Sequence, residues 1–221
     1  MDLRRPFAAC AALTLIGGGL LLGSVPAAAA NPCSATDVRT GTASSDLQAA
    51  IDAAAPGDTI QVHGRCIGQF TIAKDLTLVG LGTLDGSHAG RTLTVTAGNV
   101  VLSRLTITNG AANGSGSSGY GGDLLVDASV VTLKRTVLSG GEAFGNGGGL
   151  FVDRSGEASL YNASSVNGNF ADGGIGGGIY STGRLLVFGS EISGNHAAGG
   201  GAGIYSTRLL GVFHSSVLNN G

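Results

Sequence analysis

Gly176-Gly177-Gly178-Ile179-Tyr180-Ser181 is the phrase on which the fold turns, because the chain writes it four times. The other copies are Gly121-Gly122-Asp123-Leu124-Leu125-Val126, Gly147-Gly148-Gly149-Leu150-Phe151-Val152 and Gly201-Ala202-Gly203-Ile204-Tyr205-Ser206. The apolar residue after the glycines recurs at 124, 150, 179 and 204, every 25 to 29 residues. A short β-like core on a period of this size is the signature of a solenoid, in which one coil cannot bury its own apolar face and must stack on its neighbours. A second half of the repeat carries apolar pairs: Leu102 with Ile107, Leu133 with Leu138, Tyr161 with Val166, Val187 with Ile192 and Val212 with Val217. A polar turn follows each pair, and Asn169, Asn195 and Asn220 align in it as an expected ladder of stacked amides. The loop between turn and glycines varies in length. Its longest version, residues 111–120, is rich in Gly and Ser and is expected to be mobile.

From residue 59 onward the apolar runs are short and β-branched, as in Thr59-Ile60-Gln61-Val62 and Leu93-Thr94-Val95-Thr96, which suits a pleated surface. Glycine, 41 of 221 residues, follows no three-residue period, so a collagen helix is excluded. A disordered glycine-rich chain is excluded too, because 43% of the residues are apolar and only 12% charged. Leu47, Ala50, Ile51 and Ala54 follow helical spacing behind Ser45-Asp46-Leu47-Gln48, read as a capping box with Ser45 as N-cap, and Pro56-Gly57-Asp58 ends the helix. The expectation is an all-β, right-handed parallel β-helix solenoid over 59–221 with a short N-terminal capping helix inside 31–58.

Residues 1–30 read as a signal peptide: Arg4 and Arg5, an apolar stretch from Phe7 to Val25, then Ala28-Ala29-Ala30. Export implies a secreted or cell-surface location and no membrane span after cleavage. Cys10 leaves with the leader, so Cys33 and Cys66 remain, and a pair in an exported chain reads as a disulfide. The net charge is −2 and no basic cluster occurs, which argues against nucleic acid as partner.

The stretch Leu47 to Val62, continued by Cys66-Ile67-Gly68-Gln69-Phe70 and Leu76-Thr77-Leu78-Val79-Gly80, resembles the N-terminal cap and first coils of the pectin-lyase-like superfamily of parallel β-helix proteins. The later glycine-led repeats resemble those of polymorphic outer-membrane proteins. The resemblance implies the fold, but the superfamily holds lyases, hydrolases and adhesins alike, so fold does not carry function.

Two readings of function follow. In the first the protein binds polysaccharide or a surface protein: Phe151, Tyr180 and Tyr205 align one position past core-facing residues and are expected to point outward as an aromatic ladder. Phe188 and Phe213 form a second short column. In the second it is a carbohydrate-active enzyme, a lyase or glycoside hydrolase acting on acidic polysaccharide. Asp127 and Asp153 align on adjacent coils about 4.8 Å apart, and Arg104 is a lyase-type base candidate. No cofactor is expected in the first reading; calcium belongs only to the second. The Asn-Thr-Asp and Asp-Asp motifs of the hydrolases are absent, which favours binding. The last apolar pair, Val212 and Val217, is followed by Asn219-Asn220-Gly221 with no capping segment. This leaves two expectations: a piece of a longer repeat protein, or an end covered by self-association.

Overall fold

The computed structural model describes residues 32–221; the leader read over 1–30 lies outside them. Nearly all regular structure is strand, arranged in four sheets: the first two circuits visit three of them in turn, and the circuits from Asn99 onward add the fourth. The long sheet begins with a hairpin, Ser34–Asp37 and Ala43–Ser44, whose first strand lies antiparallel to Thr59–His63. Parallel to that strand follow Leu76–Gly80, Asn99–Ser103, Val130–Lys134, Glu157–Tyr161, Arg184–Phe188 and Leu210–Phe213. A second sheet runs in parallel from Arg65–Ile67 to Ser216–Leu218. A third contains Phe70–Ala73, Leu93–Ala97 and the four glycine-led strands. These stacked, mostly parallel sheets are compatible with a β-helix-like solenoid.

The alternating pattern of the strands puts columns of apolar side chains inside each sheet. Ile60, Leu78, Leu102, Leu133, Leu160 and Val187 stack in register along the long sheet; Leu84, Ile107, Leu138, Val166 and Ile192 do so along the second; Leu93, Leu124, Leu150 and Ile179 along the third. All are fully buried. Each contributes about 1.5–3 kcal/mol of apolar burial. The fourth sheet consists of two-residue strands at a corner, and its inner column, Ala112, Ala143, Ala171 and Ala197, is all alanine. A corner has room for a methyl and little more.

Register corrects one expected pair. Leu160, not Tyr161, faces Leu133 and Val187, and Tyr161 lies opposite Lys134. The cause is an extra residue at the bend. Asn162 and Ala163 are both left-handed there, at φ 56° and 64°, where the other circuits from Asn99 onward bend with Arg104, Arg135, Gly189 or His214 alone.

The helix spans Leu47–Ala53, and its N-cap is Asp46 rather than Ser45: the Asp46 carboxylate accepts the Ala49 N–H at 3.1 Å. Gln48 therefore does not reach back to close a capping box. It reaches sideways, its Oε1 accepting the Thr71 N–H at 2.8 Å and its Nε2 donating to the Thr71 carbonyl at 3.1 Å. This occupies backbone groups on the edge strand of the third sheet, which otherwise faces solvent at that end. Leu47 and Ile51 point into the core. The Cys33–Cys66 disulfide ties the start of the hairpin to the first strand of the second sheet. Asp58 accepts Arg39 Nε at 2.7 Å, Arg39 Nη2 at 2.9 Å and the Ala55 N–H at 2.7 Å, locking hairpin, helix exit and first strand together. At the other end, Leu210, Val212, Phe213, Val217 and Leu218 are exposed. No helix among the described residues is long and apolar enough to cross a membrane.

The expected asparagine column forms a hydrogen-bonded ladder. Asn169 Nδ2 donates to Asn195 Oδ1, and Asn195 Nδ2 to Asn220 Oδ1, both at 2.9 Å.

Candidate functional site

The first glycine of each motif positions the outer face of the third sheet. Gly121, Gly147 and Gly176 all turn at φ 67–68°, and a Cβ on Gly121 would lie 2.5 Å from the Leu124 carbonyl oxygen and 2.9 Å from the Phe151 Cβ. Only glycine fits both the positive φ and the close approach. The strand that follows turns its middle residue away from the core, which gives the outward column Leu125, Phe151, Tyr180, Tyr205 in strict register.

The rings pack on one another. Phe151 and Tyr180 are stacked, with centroids 5.5 Å apart and planes 15° from parallel, and Tyr205 follows at 5.9 Å and 31°. Tyr120 stands edge-on to both Phe151 and Tyr180, at 5.1 and 5.7 Å. Phe151 is only 5% exposed, Tyr180 half-buried and Tyr205 39% exposed. Burial is the first cause raising the Tyr180 phenol above its ordinary pKa, followed by the neighbouring Tyr120 and Tyr205 hydroxyls.

Tyr120 arrives on the loop 111–120, which is folded rather than loose. It contains a 3-10 turn over Gly116–Gly119, and Arg91 reaches beneath it to donate to the carbonyls of Ser118, Tyr120 and Gly121 at 3.3, 2.7 and 2.9 Å. Burial of Arg91 lowers its pKa. Composition alone suggested mobility because Arg91 lies 20 residues earlier in the chain and signals nothing locally.

Beside the ring column runs a polar one. Asp127, Asp153, Thr182 and Thr207 follow one another from circuit to circuit, each N–H donating to a carbonyl of the preceding circuit: those of Val95, Val126, Val152 and Ser181. Asp153 Oδ1 accepts the Ser155 N–H at 2.8 Å and the Ala128 N–H at 3.3 Å. Asp127 has its carboxyl pKa raised, by burial first and by the adjacent Asp153 second. Leu125, Asp127, Phe151, Asp153, Arg154 and Thr182 line a cleft of about 260 Å³. It continues into a shallow groove bounded by Arg154, Thr182, Thr207 and Arg208.

Phe151, Tyr180 and Tyr205 thus meet Asp127 and Asp153 on one face, and Arg104 does not join them. It is exposed at the bend between the long and second sheets, while the aspartates sit at the bend where the chain enters the long sheet. A five-residue strand, about 17 Å, separates the two bends. Among the described residues no group of three or more side chains is placed to ligate a metal ion. A second outward column, Tyr161 with Phe188 at 6.3 Å and Phe213 beyond, occupies the long sheet. A stacked pair the sequence did not reveal, Phe170 with His196 at 5.1 Å and 6°, lies on the fourth sheet.

No protein-family model matches the chain, no curated protein matches it significantly, and no solved structure does so either. The class is therefore defined by the molecule itself: an all-β protein of stacked, mostly parallel sheets with an aromatic and acidic outer face.

Proposed function

We propose that this chain is a secreted or cell-surface right-handed parallel β-helix protein, of the kind its cap and glycine-led repeats resemble, and that its role is binding: adhesin-like or glycan-binding. The observation that carries the reading is the Phe151–Tyr180–Tyr205 column, packed ring on ring, covered at Phe151, open at Tyr205 and flanked by carboxylates and hydroxyls. Sugar rings stack on aromatic faces while their hydroxyls seek such polar neighbours. Right-handedness is supported by the general rule that parallel crossovers take that hand in about 98% of cases. The disulfide supports an oxidising, exported location.

One observation favours the second reading, a glycoside hydrolase or polysaccharide lyase: Asp127 and Asp153 are neighbours, and burial followed by the Asp153 charge raises the Asp127 carboxyl above its ordinary value. Against it, Asp153 Oδ1 is committed to two backbone N–H groups, and Arg104 lies at the far end of the strands. Calcium would enter only in this reading.

The test is affinity electrophoresis of the disulfide-bonded protein against neutral and acidic polysaccharides, paired with assays for reducing ends and unsaturated products in calcium. Retardation by a glycan, lost in Tyr205→Ala and without cleavage, is the expected result. Cleavage abolished by Asp127→Asn would replace the binding reading with the enzymatic one. No retardation on any polymer would leave the ring column without a glycan role.

A further inference from the structure

The asparagine ladder stops at Gly141, and the way it stops points to a buried acid. Asn169, Asn195 and Asn220 each reach back one circuit. Their Oδ1 atoms accept the backbone N–H groups of Gly141, Asn169 and Asn195 at 2.8, 3.0 and 3.0 Å. Their Nδ2 atoms donate to the carbonyls of Leu138, Val166 and Ile192 at 3.3, 2.9 and 3.0 Å. Each amide fills space left by a glycine: a Cβ on Gly149, Gly178 or Gly203 would lie 2.8 Å from the amide nitrogen.

The Gly110 N–H needs the same kind of acceptor, but the next circuit places Gly141 at the corner and has no side chain to send. The acceptor comes from the opposite side. Asp123, which holds in its own circuit the place of Gly149, Gly178 and Gly203, accepts the Gly110 N–H on Oδ1 at 3.0 Å. Its Cγ lies 2.7 Å from where a Gly141 Cβ would be. One circuit earlier Thr92 holds the corresponding position before its strand, but its hydroxyl donates, to the Thr108 carbonyl at 3.1 Å beside Gly86. The N–H groups of Gly110, Gly141, Asn169 and Asn195 thus each meet one side-chain acceptor, delivered from one position or the other.

The asparagines and Asp123 differ in the second atom. Nδ2 is a donor and finds a strand carbonyl, whereas Asp123 Oδ2 is completely buried and lacks a hydrogen-bond partner. The carbonyl in register with those of Leu138, Val166 and Ile192 belongs to Ile107. A carboxylate has nothing to give it; a carboxylic acid has a proton. We propose that Asp123 is kept as a neutral acid that stands in for the missing asparagine, Oδ1 accepting from Gly110 and a protonated Oδ2 donating to the Ile107 carbonyl, and that losing this proton weakens the corner from which the Tyr120 loop departs.

The electrostatics agree with that geometry. Burial drives the Asp123 carboxyl well above the usual carboxylate range; the Gly110 amide opposes it, the charge of Asp85 adds to it, and the Ser139 amide dipole opposes it. Asp85 stays ionised: burial would raise it, but the Ser87 N–H, the Asn109 amide and the Arg65 guanidinium together hold it below its ordinary value. The other charges nearby are Glu142, 3.6 Å from His88, and Arg91, which is directed to the loop carbonyls. A carboxyl raised in the folded state binds its proton where the unfolded chain has lost it. Its contribution is therefore complete below about pH 4 and declines as pH rises to the folded value.

Thermal unfolding of the whole disulfide-bonded chain across pH tests this. Asp123→Asn replaces the acid by the amide the ladder uses elsewhere. It should raise Tm by several degrees in mildly alkaline buffer and leave Tm unchanged near about pH 4. An unchanged or lower Tm at alkaline pH in a folded variant overturns the proposal. The wild-type protein gives an independent readout that needs no variant: the Asp123 carboxyl ¹³C resonance should sit at the protonated position at neutral pH. A resonance that titrates in the ordinary carboxylate range also overturns it.

Discussion

Tyr120 closes edge-on over Phe151 at 5.1 Å, so the ring that begins the outward column is covered by a residue from a loop of the preceding circuit. The column is thereby graded: Phe151 is packed, Tyr180 is half open and Tyr205 is accessible. Tyr205→Ala should leave Tm almost unaltered and reduce glycan retention, while Phe151→Ala should cost about 3 kcal/mol of stability. Denaturation curves and affinity electrophoresis on both variants separate the roles. Equal loss of stability in the two would place Tyr205 in the packing as well.

Reduction of Cys33–Cys66 should be destabilising. The bond closes a loop between residues 33 apart, which in the chain-entropy model is equivalent to about 3–4 kcal/mol. Urea unfolding with and without reductant measures it, and peptide mapping without reductant should recover the linked pair. A reduced protein of unchanged midpoint would show that Asp58 and the hairpin strands already fix the N-terminal end.

Acid should act first on that end. The Arg39 side chain is the leading cause that lowers the Asp58 carboxyl to about 2, with the Ala55 N–H adding to it against the opposing effect of burial. A lowered carboxyl stabilises the fold above the unfolded value near 3.8, and this is lost as pH falls through about 2. Asp58→Asn should therefore lower stability at neutral pH and flatten the acid limb between those values. Circular dichroism melts over that range follow it, and an acid limb as steep as wild type would move the cause elsewhere.

The exposed apolar edge at Leu210–Phe213 and Ser216–Leu218 should make a chain of residues 31–221 associate. Val212 and Val217 are 39% and 48% exposed, whereas their register partners Val187 and Ile192 are fully buried. The strands they occupy each have one neighbour, which leaves an unpaired parallel edge with apolar side chains beside it. Light scattering should find species larger than the monomer, and Val212→Lys with Val217→Lys should reduce them. A monodisperse monomer at high concentration rejects the expectation.

The stacked strands were legible in the sequence because each circuit repeats the same alternation, and the glycines mark bends that no other residue tolerates. Asn169, Asn195 and Asn220 announced their ladder for the same reason. What stayed hidden depends on contacts between distant circuits. The two-residue strands of the fourth sheet are too short for any alternation to register. The Leu160 register was masked by one extra residue at Asn162–Ala163, and Asp46 won the N-cap from Ser45 because a carboxylate was available one position later. Arg91 under the 111–120 loop, and Tyr120 over Phe151, follow from a fold that only the three-dimensional stacking specifies. The separation of Arg104 from Asp127 and Asp153 likewise depends on which bend each residue occupies.

A chain of near-identical circuits faces a hazard during folding, namely docking one circuit onto the wrong neighbour. The exchange at Gly141 and Asp123 counters it. If the circuit carrying Asn169 slid down by one, its amide would enter space already filled by the Asp123 carboxyl; if it slid up, Gly141 would lose its acceptor. The ladder's interruption thus acts as an address that distinguishes one circuit from the next, a form of fidelity that a perfect run of asparagines would forgo.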